Sequence, residues 1–472
     1  MKDESPVEFD EDHVKLLFSK VNKRKAAGPD GIKGKVLKEC AEQLAGIFTY
    51  IFNMSFACTS IPSIWKTSKI IPIPKKTKVM CMNDLRPVAL TSVLMKCFEK
   101  LVLFHLNSQF RPHSDPFQFA YQPKRSVDDA ILTFTNNIYR HLDSPKTFCR
   151  VLFVDFSSAF NTIQPHLLVR KLLELEIDPH TVAWILNFLT DRTQFVGVDG
   201  ENSNTVRTNT GAPQGCVISP VLFTIYTNDC RSSNPSNVPL LKFADDTTLQ
   251  GLISNDDESA YRSEIDQFVC WCSDNFLELN VSKTKEMIFD FRRTKPDDND
   301  AQNIFINGEK VDRVENYKYL GVTVDDKLKW SEHVNTIQQK INKRMYFLRK
   351  LSQFNIDKTI CTLFYRATIE SVLTFCISAW GGNCLAKDKR NLDKIIKRSK
   401  RNTHEIMSFD ELYAYSCTRN IIAILKDQTH PLNCLIKISH RSNRPLSVKT
   451  RTERHRKSFL PSSVRLYNEL EN

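Results

Sequence analysis

The chain has 472 residues, which is too long for one small domain and predicts two to four folded units. Lysine and arginine number 66 against 54 aspartate and glutamate, so the formal net charge is +12. This excess favours an anionic partner, and nucleic acid is the first candidate. No apolar run reaches the ~18 residues of a membrane-spanning helix, so a spanning segment is excluded and no membrane partner is expected.

The cysteine content predicts a reduced protein. The 14 cysteines form no paired framework, and several, such as Cys97, Cys149 and Cys376, lie in apolar segments where a free thiol packs as a small hydrophobe. The first residues are acidic and polar, unlike a secretory signal peptide. An intracellular location, in the nucleus, the cytoplasm or both, is therefore expected.

The first third of the chain predicts helices joined by turns. Apolar spacing indicates helices over residues 8–21, 35–60, 93–110 and 127–142, and Gly-Pro-Asp-Gly at 28–31 indicates a turn. Residues 70–76 read as an edge strand, because Pro72 and Pro74 cannot donate to a β-ladder. Residues 117–126 interleave aromatic and basic side chains, which suits single-stranded nucleic acid or a buried aromatic turn.

The middle of the chain alternates strands and helices. A buried strand over 151–154 runs into Asp155, residues 165–190 are helical, and residues 193–198 pair with 205–208 as a hairpin. A loop at 211–215 precedes an apolar helix, and another helix covers 258–279. Residues 296–300 form a loop, 302–324 alternate like a short sheet, and the chain beyond Trp330 is helical and basic.

Two adjacent carboxylates, Asp245 and Asp246, lie between apolar arms that predict a strand, a tight turn and a returning strand. Neighbouring like charges repel, and a divalent cation would compensate them. An isolated Asp-Asp pair is more typical of a soluble turn, and Asp155 alone could cap a helix. The presence of both, about 90 positions apart, favours a metal site.

Together with the glycine-flanked loop at 211–215, these residues resemble the palm of a reverse transcriptase of the non-LTR, LINE-type, jockey-like retrotransposons. Residues 243–246, Phe-Ala-Asp-Asp, are similar to the catalytic box, with Phe where many members carry Tyr. Six blocks follow the family's order between about residues 22 and 330. The resemblance implies an α+β, right-hand polymerase fold: N-terminal extension and fingers (1–145), palm with an antiparallel sheet (146–330), helical thumb (331–400) and basic C-terminal region (401–472).

The resemblance implies an RNA-directed DNA polymerase that adds dNTPs to a primer 3′-hydroxyl with two Mg²⁺ ions, for which Mn²⁺ can substitute. Its partners would be an RNA template, a DNA primer or target, and dNTPs; the oligomeric state stays open. The implied catalytic residues are Asp155, Asp245, Asp246 and Lys283, the three aspartates being the metal ligands. The implied nucleotide-binding residues are Lys75, Arg86, Phe160 and Gln214, and the implied nucleic-acid contacts are Lys23, Lys25, Gln122, Arg125, Tyr319, Leu320 and Gly321.

Several alternatives stay open. Lys285 could replace Lys283, Lys76 could replace Lys75, and Phe160 could be a core residue. The basic runs at 387–401 and 437–457 suit either phosphate contact or a solvated surface. The chain could be an inactive, nucleic-acid-binding relic.

The sequence offers two further, weaker candidates for a metal site, one for iron and one for zinc. His113-Ser114-Asp115 has the spacing of a ferrous 2-oxoglutarate dioxygenase triad. Zinc at Cys417, His430, Cys434 and His440 is disfavoured, because no Cys-x-x-Cys pair is present among them. An upstream endonuclease domain is expected to be missing, since only some twenty residues precede the first fingers motif.

Overall fold

A computed structural model describes residues 7–293, 303–441 and 443–470. The loop predicted at 296–300 lies outside these residues. The helices are α1 (Glu11–Ser19), α2 (Gly34–Glu39), α3 (Ala41–Ala57), α4 (Ser63–Lys66), α5 (Val93–Phe110), α6 (Val127–His141), α7 (Pro165–Glu174), α8 (Pro179–Leu189), α9 (Ser219–Tyr226), α10 (Ser259–Asp274), α11 (Ser331–Gln353), α12 (Lys358–Tyr365), α13 (Ser371–Leu373), α14 (Ile377–Trp380), α15 (Ala386–Ser399), α16 (Phe409–Leu425), α17 (Glu453–Arg456) and α18 (Phe459–Leu470).

The strands form two five-stranded sheets and two separate hairpins. They are β1 (Thr67–Pro74), β2 (Leu85–Leu90), β3 (Thr147–Val154), β4 (Arg192–Val198), β5 (Glu201–Asn202), β6 (Val206–Thr208), β7 (Leu240–Phe243), β8 (Asp246–Ser254), β9 (Lys285–Phe289), β10 (Phe305–Ile306), β11 (Glu309–Lys310), β12 (Asp312–Arg313), β13 (Asn316–Tyr319) and β14 (Val322–Asp325). One sheet has the order β2-β1-β4-β5, with β6 also paired to β4, and the other has the order β12-β9-β3-β8-β7. The hairpins are β10-β11 and β13-β14.

The described residues divide into two compact units. Unit 1 draws on Met1–Asp115, Phe156–Cys230 and Cys270–Leu279, and unit 2 draws on Pro116–Asp155, Arg231–Val269 and Asn280–Asn472. The boundaries predicted for fingers, palm and thumb stay a prediction. No helix in the described part of the chain has the length and apolar character needed to cross a lipid bilayer.

Unit 1 has an aromatic core that fixes its helices. The ring of Phe52 stacks on that of Phe98 with centroids 4.6 Å apart, and Phe98 meets Trp184 edge-on at 5.1 Å. All three side chains are fully buried. Burial of each ring stabilises the unit by about 1.5–3 kcal/mol, so α3, α5 and α8 are held together here.

Unit 2 is built on strand β3, whose eight residues are all buried. Such two-sided burial explains its continuous apolar run. The fully buried Arg150 binds both carboxylate oxygens of Glu286 on β9 at 2.9 Å and Glu258 at 2.5 Å. Removing one partner of a buried ion pair costs about 3–5 kcal/mol, so loss of either Arg150 or Glu286 would strongly destabilise the contact between β3 and β9.

Two sequence-based expectations about unit 1 differ from the structure. The helix predicted over 35–60 is two helices, because the chain leaves helical geometry at Cys40, where φ is −106° and ψ is 28°. Strand β1 pairs with β4 over Thr67–Ile70 and with β2 over Lys69–Pro74, so only Lys69 and Ile70 lie between two strands. The edge strand predicted over 70–76 is therefore wrong at Ile70, whereas Pro72 and Pro74 lie where β2 alone is paired with β1 among the described residues.

Candidate active site

The adjacent carboxylates Asp245 and Asp246 lie at the tip of the β7–β8 hairpin in unit 2. Phe243 pairs with Asp246, so Ala244 and Asp245 form a two-residue turn. Ala244 has a φ of +58°, the left-handed conformation that the first position of such turns requires. A residue with a Cβ adopts it at a cost of about 1–2 kcal/mol, so the surrounding contacts must stabilise the turn.

Asp155 is placed beside this hairpin by the pairing of β3 with β8. Val154 pairs with Thr247, so Asp155 and Asp246 occupy the next positions of the two strands. The Asp155 N–H donates to Thr284 Oγ1 at 3.3 Å, and its carbonyl accepts from the Asn280 N–H at 2.9 Å. These bonds hold the backbone of Asp155 from both sides. Its Oδ2 is buried without a hydrogen-bond partner in the described part of the chain.

The three carboxyl groups influence one another electrostatically. Burial, together with the charges of Asp245 and Asp155, raises the pKa of Asp246 to about 6. Burial and the charge of Asp155 also raise the pKa of Asp245. Both side chains reach solvent at the hairpin tip, yet nearby protein atoms limit the hydration of their carboxylates. The ionised forms are therefore disfavoured here, and a cation would relieve that cost.

The donor set fits a divalent cation of the Mg²⁺ type. Mg²⁺ prefers carboxylate oxygens and retains several waters, and the buried Oδ2 of Asp155 accepts no hydrogen bond in the described residues, the Lys283 ammonium lying 3.6 Å away. Across the described ranges, however, no three His, Cys, Asp or Glu side chains are gathered closely enough to hold a metal by themselves.

Lys283 and Lys285 differ in what they contact. The Lys283 ammonium lies 3.6 Å from Oδ2 of Asp155 and its side chain is largely exposed. Lys285 instead donates to the Ser282 carbonyl at 2.7 Å and to Asp312 at 2.6 Å. Of these two lysines, Lys283 is the one that lies beside the Asp155 carboxylate.

In unit 1, the β1–β2 hairpin presents the two predicted phosphate-binding cations. Arg86 pairs with Ile73, and strand alternation puts Lys75, two residues further, on the face that carries Arg86. Both side chains are exposed. Lys76 forms an ion pair with Asp84 at 2.7 Å, which with backbone hydrogen bonds lowers the pKa of Asp84 to about 2. The choice between Lys75 and Lys76 stays a prediction.

Phe160 and Gln214 belong to two segments of unit 1 that contact each other. The Phe160 carbonyl accepts from the Ala212 N–H at 2.8 Å, and its ring lies 4.8 Å from that of Phe223. The carbonyl of Gln214 accepts from the Ala89 N–H at 2.9 Å. A Cβ at Gly215 would come within 2.6 Å of the Ala89 carbonyl oxygen, so this close approach requires glycine. An open cavity of about 420 Å³ has Gln214 in its lining.

Comparison with known proteins decides the family. The family model described as reverse transcriptase (RNA-dependent DNA polymerase) matches residues 73–324, more than half of the chain. The chain belongs to the reverse transcriptase family. It is 27% identical over 379 residues to the RNA-directed DNA polymerase from mobile element jockey of Drosophila melanogaster, covering 75% of this chain and 40% of that protein. It is 26% identical over 373 residues to the probable RNA-directed DNA polymerase from transposon BS of the same species, covering 76% and 40%.

The expected resemblance to jockey-like non-LTR reverse transcriptases is thus confirmed over most of the chain, which spans about 40% of the length of these relatives. Among solved structures, apo telomerase from Candida tropicalis matches with a TM-score of 0.40 and 12% identity, covering 88% of this chain and 83% of that one. Reverse transcriptases use divalent metal ions and act on a nucleic-acid template and primer.

A second family model, described as alkylated DNA repair protein alkB homolog 8, N-terminal, matches residues 330–371. His113 and Asp115 lie outside this match. Neither they nor the zinc candidates Cys417, His430, Cys434 and His440 belong to a possible metal-binding group in the described residues. His430 instead contacts Asp129 at 3.3 Å.

The predicted nucleic-acid contacts have different environments. Lys23 and Lys25 are exposed in unit 1, and Lys23 forms an ion pair with Glu39. In unit 2, Gln122 is half-buried and Arg125 is paired with Asp427, with only 6% of the Arg125 side chain exposed. Contact of Arg125 with a phosphate would require this pair to open.

The remaining three predicted contacts form one turn. Tyr319 is buried, and Leu320 and Gly321 are the central residues of the β13–β14 turn, with φ values of +45° and +91°. Positive φ at both central residues is typical of a tight hairpin turn. Leu320 and Gly321 are therefore presented at its tip.

Two residues with contacts beside these sites were not among the site residues predicted from the sequence. Tyr317 stacks on Phe153 at 4.1 Å, and its pKa is raised by burial and by the charges of Asp246 and Asp155. Strand alternation from Tyr319 could have found it. In unit 1, the buried Glu99 accepts from the Val217 and Ile218 N–H groups at 2.5 and 3.1 Å, just before α9. The sequence signal for Glu99 was a carboxylate within the otherwise largely apolar helix α5.

Proposed function

We propose that this chain is an RNA-directed DNA polymerase that adds dNTPs to a primer 3′-hydroxyl by nucleotidyl transfer. The observation that supports this most directly is the placement of Asp155, Asp245 and Asp246 at one end of the β3–β8–β7 ladder, where burial and neighbouring carboxylates raise the pKa values of Asp245 and Asp246. Family membership and the printed names of the jockey and BS relatives support the same activity.

Asp155 and Asp245 would hold two Mg²⁺ ions, or Mn²⁺ as a substitute, with Asp246 supporting one of them. Bound there, such ions stabilise the attacking and leaving oxygens of phosphoryl transfer. The chain's own contribution is to position the ligands: β3 and the β7–β8 hairpin fix the backbone, so little reorganisation is needed when the substrate binds.

Lys283 would donate a proton to the departing pyrophosphate. Its distance of 3.6 Å from Asp155 supports a place beside the metal ligands. Arg86 and Lys75 would bind the triphosphate, Gln214 would lie beside the templating pair, and Phe160 would crowd the sugar. These four roles rest on the resemblance and on the local geometry of unit 1.

The proposed partners are an RNA template, a DNA primer or target, and dNTPs. Phosphate contacts by lysine and arginine would supply most of the affinity for nucleic acid. The nucleic-acid contacts proposed are Lys23, Lys25, Gln122, Arg125, Tyr319, Leu320 and Gly321.

The proposal is tested by primer extension on an RNA template with Mg²⁺, dNTPs and the purified chain. Asp245→Asn should lower extension at least about 100-fold while binding to primer–template stays nearly unchanged, because affinity comes largely from cations on phosphates. Asp199→Asn, at an exposed turn of unit 1, is the matched control and should retain activity. Extension by the Asp245 variant at the parental rate would refute the metal assignment. Binding without extension by the parent would instead favour an inactive relic.

A further inference from the structure

The side chain of Gln118 contacts the turn that carries Asp245. Gln118 lies in unit 2, and only 1% of the residue is exposed. Its Oε1 accepts from the N–H of Ala244 at 3.0 Å and from the N–H of Ala120 at 3.0 Å. Its Nε2 lies 3.5 Å from the Ala244 carbonyl oxygen, the orientation in which it can donate. The side-chain amide of Gln118 therefore contacts both the N–H and the carbonyl oxygen of Ala244.

The backbone around Gln118 fixes where this amide sits. The Phe119 N–H donates to the Lys242 carbonyl, and the Lys242 N–H donates to the Phe117 carbonyl, both at 2.9 Å. Gln118 thus pairs with Lys242 as a short parallel bridge beside β7. Because β7 continues directly into the Ala244–Asp245 turn, this pairing places the Gln118 side chain within hydrogen-bonding distance of Ala244.

The turn needs such support. Ala244 has a φ of +58° without the freedom of glycine, so its conformation persists only when neighbouring groups determine it. Without the Gln118 side chain, the part-buried N–H of Ala244 would lose its hydrogen-bond acceptor. Gln118 supplies that acceptor, and Asp245 is the next residue along the chain.

We propose that Gln118 is a positioning residue that holds the Ala244–Asp245 turn in the conformation that presents Asp245 to a metal ion. Its consequence for catalysis rests on the proposed function. The clamp, meaning the two contacts of the Gln118 amide with the Ala244 backbone, rests on the structure alone. Gln118 is almost fully buried, and it acts through the backbone of Ala244.

A buried glutamine with only a structural role provides the matched control. Gln250, on β8 of the same unit, is fully buried, donates to the Phe134 carbonyl at 3.0 Å and accepts from Asn137 at 2.9 Å. Replacing either glutamine by methionine removes comparable buried hydrogen bonds and conserves most of the side-chain volume. The Gln118 variant alone should affect the turn.

The first measurement is hydrogen exchange of the full chain without metal, read in short peptides that contain Ala244. Gln118→Met should accelerate exchange of this amide at least about tenfold, and Gln250→Met should leave it unchanged. Equal protection of this amide in the parent and in Gln118→Met would overturn the proposed role of Gln118.

The second measurement is primer extension at increasing Mg²⁺, with primer–template binding measured in parallel. Gln118→Met should raise the Mg²⁺ concentration for half-maximal rate at least about fivefold at unchanged nucleic-acid affinity. An equal rise in Gln250→Met would overturn the positioning role. If the parent fails to extend at all, the proposed function fails, and the exchange data alone still judge the clamp.

Discussion

The ammonium group of Lys283 lies 3.6 Å from Oδ2 of Asp155, and the backbone explains this proximity. The N–H of Asn280 donates to the Asp155 carbonyl, and the N–H of Lys283 donates to the Asn280 carbonyl at 3.1 Å. A single turn of the chain thus starts against Asp155 and returns Lys283 to it. Lys285 has entered β9 and is bound to Asp312.

We expect Lys283→Ala to lower kcat about 100-fold with little change in primer–template affinity, because general-acid catalysis acts on the leaving group and not on binding. The control is Lys285→Ala, which breaks the contact with Asp312 and should keep kcat within about twofold. Single-turnover extension rates of the three proteins decide the assignment. A larger loss for the Lys285 variant would transfer the role to that residue.

Asp246 should make the metal-free protein less stable at neutral pH. Its pKa is raised to about 6 in the folded chain, above the ordinary value of 3.8. The folded state therefore binds this proton more tightly, so the stabilisation is present below about pH 4 and is lost as the pH rises through about 6.

We expect Asp246→Asn to melt on the order of 1–2 °C above the parent at pH 7.5 without metal, and to match it near pH 4; solvent screening keeps the effect small. Asp257→Asn is a control of opposite sign, since hydrogen bonds from Ser259 lower the pKa of Asp257. Thermal melting at both pH values measures the difference. A lower melting temperature for Asp246→Asn at pH 7.5 would contradict the repulsion.

The local sequence pattern was sufficient to predict the strands that carry the candidate carboxylates. The apolar run that ends at Asp155 is β3, and the arms around Asp245 are β7 and β8, because a two-residue turn and strand alternation are properties of adjacent residues. The helix predicted over 93–110 is α5, whose start is fixed by Ser92 accepting from the Met95 N–H. The break at Cys40 has no comparable local signal.

Long-range contacts could not be predicted in the same way. Arg125 reads as a solvent-facing cation in the sequence, yet its partner Asp427 is 302 residues away. Gln118 likewise reads as one polar residue among aromatics, and its role appears only when β7 lies beside it. Such pairings depend on the tertiary fold, which residue spacing along the chain does not encode locally.

The basic C-terminal stretch should contribute to nucleic-acid affinity through its exposed cations. Truncation is a poor test, because Phe459, Leu460 and Val464 are buried in the core of unit 2. Replacing the exposed Lys437 and Lys449 by glutamine leaves that core intact.

We expect the log–log slope of affinity against salt to become shallower by about 1–2, since each lost phosphate contact releases about 0.7–0.9 fewer counterions. The control removes two exposed charges elsewhere in unit 2, with Lys146→Gln and Lys327→Gln, and should change the slope less. Equal slopes for the parent and the Lys437/Lys449 variant would mean that this stretch is only a solvated surface.

Phe160 is half-buried, and its ring contacts Phe223, so the structure is compatible with both a core role and an exposed functional edge. The resemblance implies that this ring crowds the sugar of the incoming nucleotide. A bulky side chain without a hydroxyl discriminates against a 2′-hydroxyl by steric clash. A core residue would instead contribute about 1–3 kcal/mol of stability through buried contacts.

We expect Phe160→Val to reduce the ratio of kcat/KM for dCTP over CTP at least about tenfold on one RNA template, while dCTP use is largely retained. Phe223→Leu is the control, because Phe223 is fully buried and its loss perturbs the same ring contact from the opposite side. That variant should lower the melting temperature without changing the ratio. If Phe160→Val behaves like it, with a lower melting temperature and an unchanged ratio, Phe160 is a core residue and the discrimination must come from another side chain.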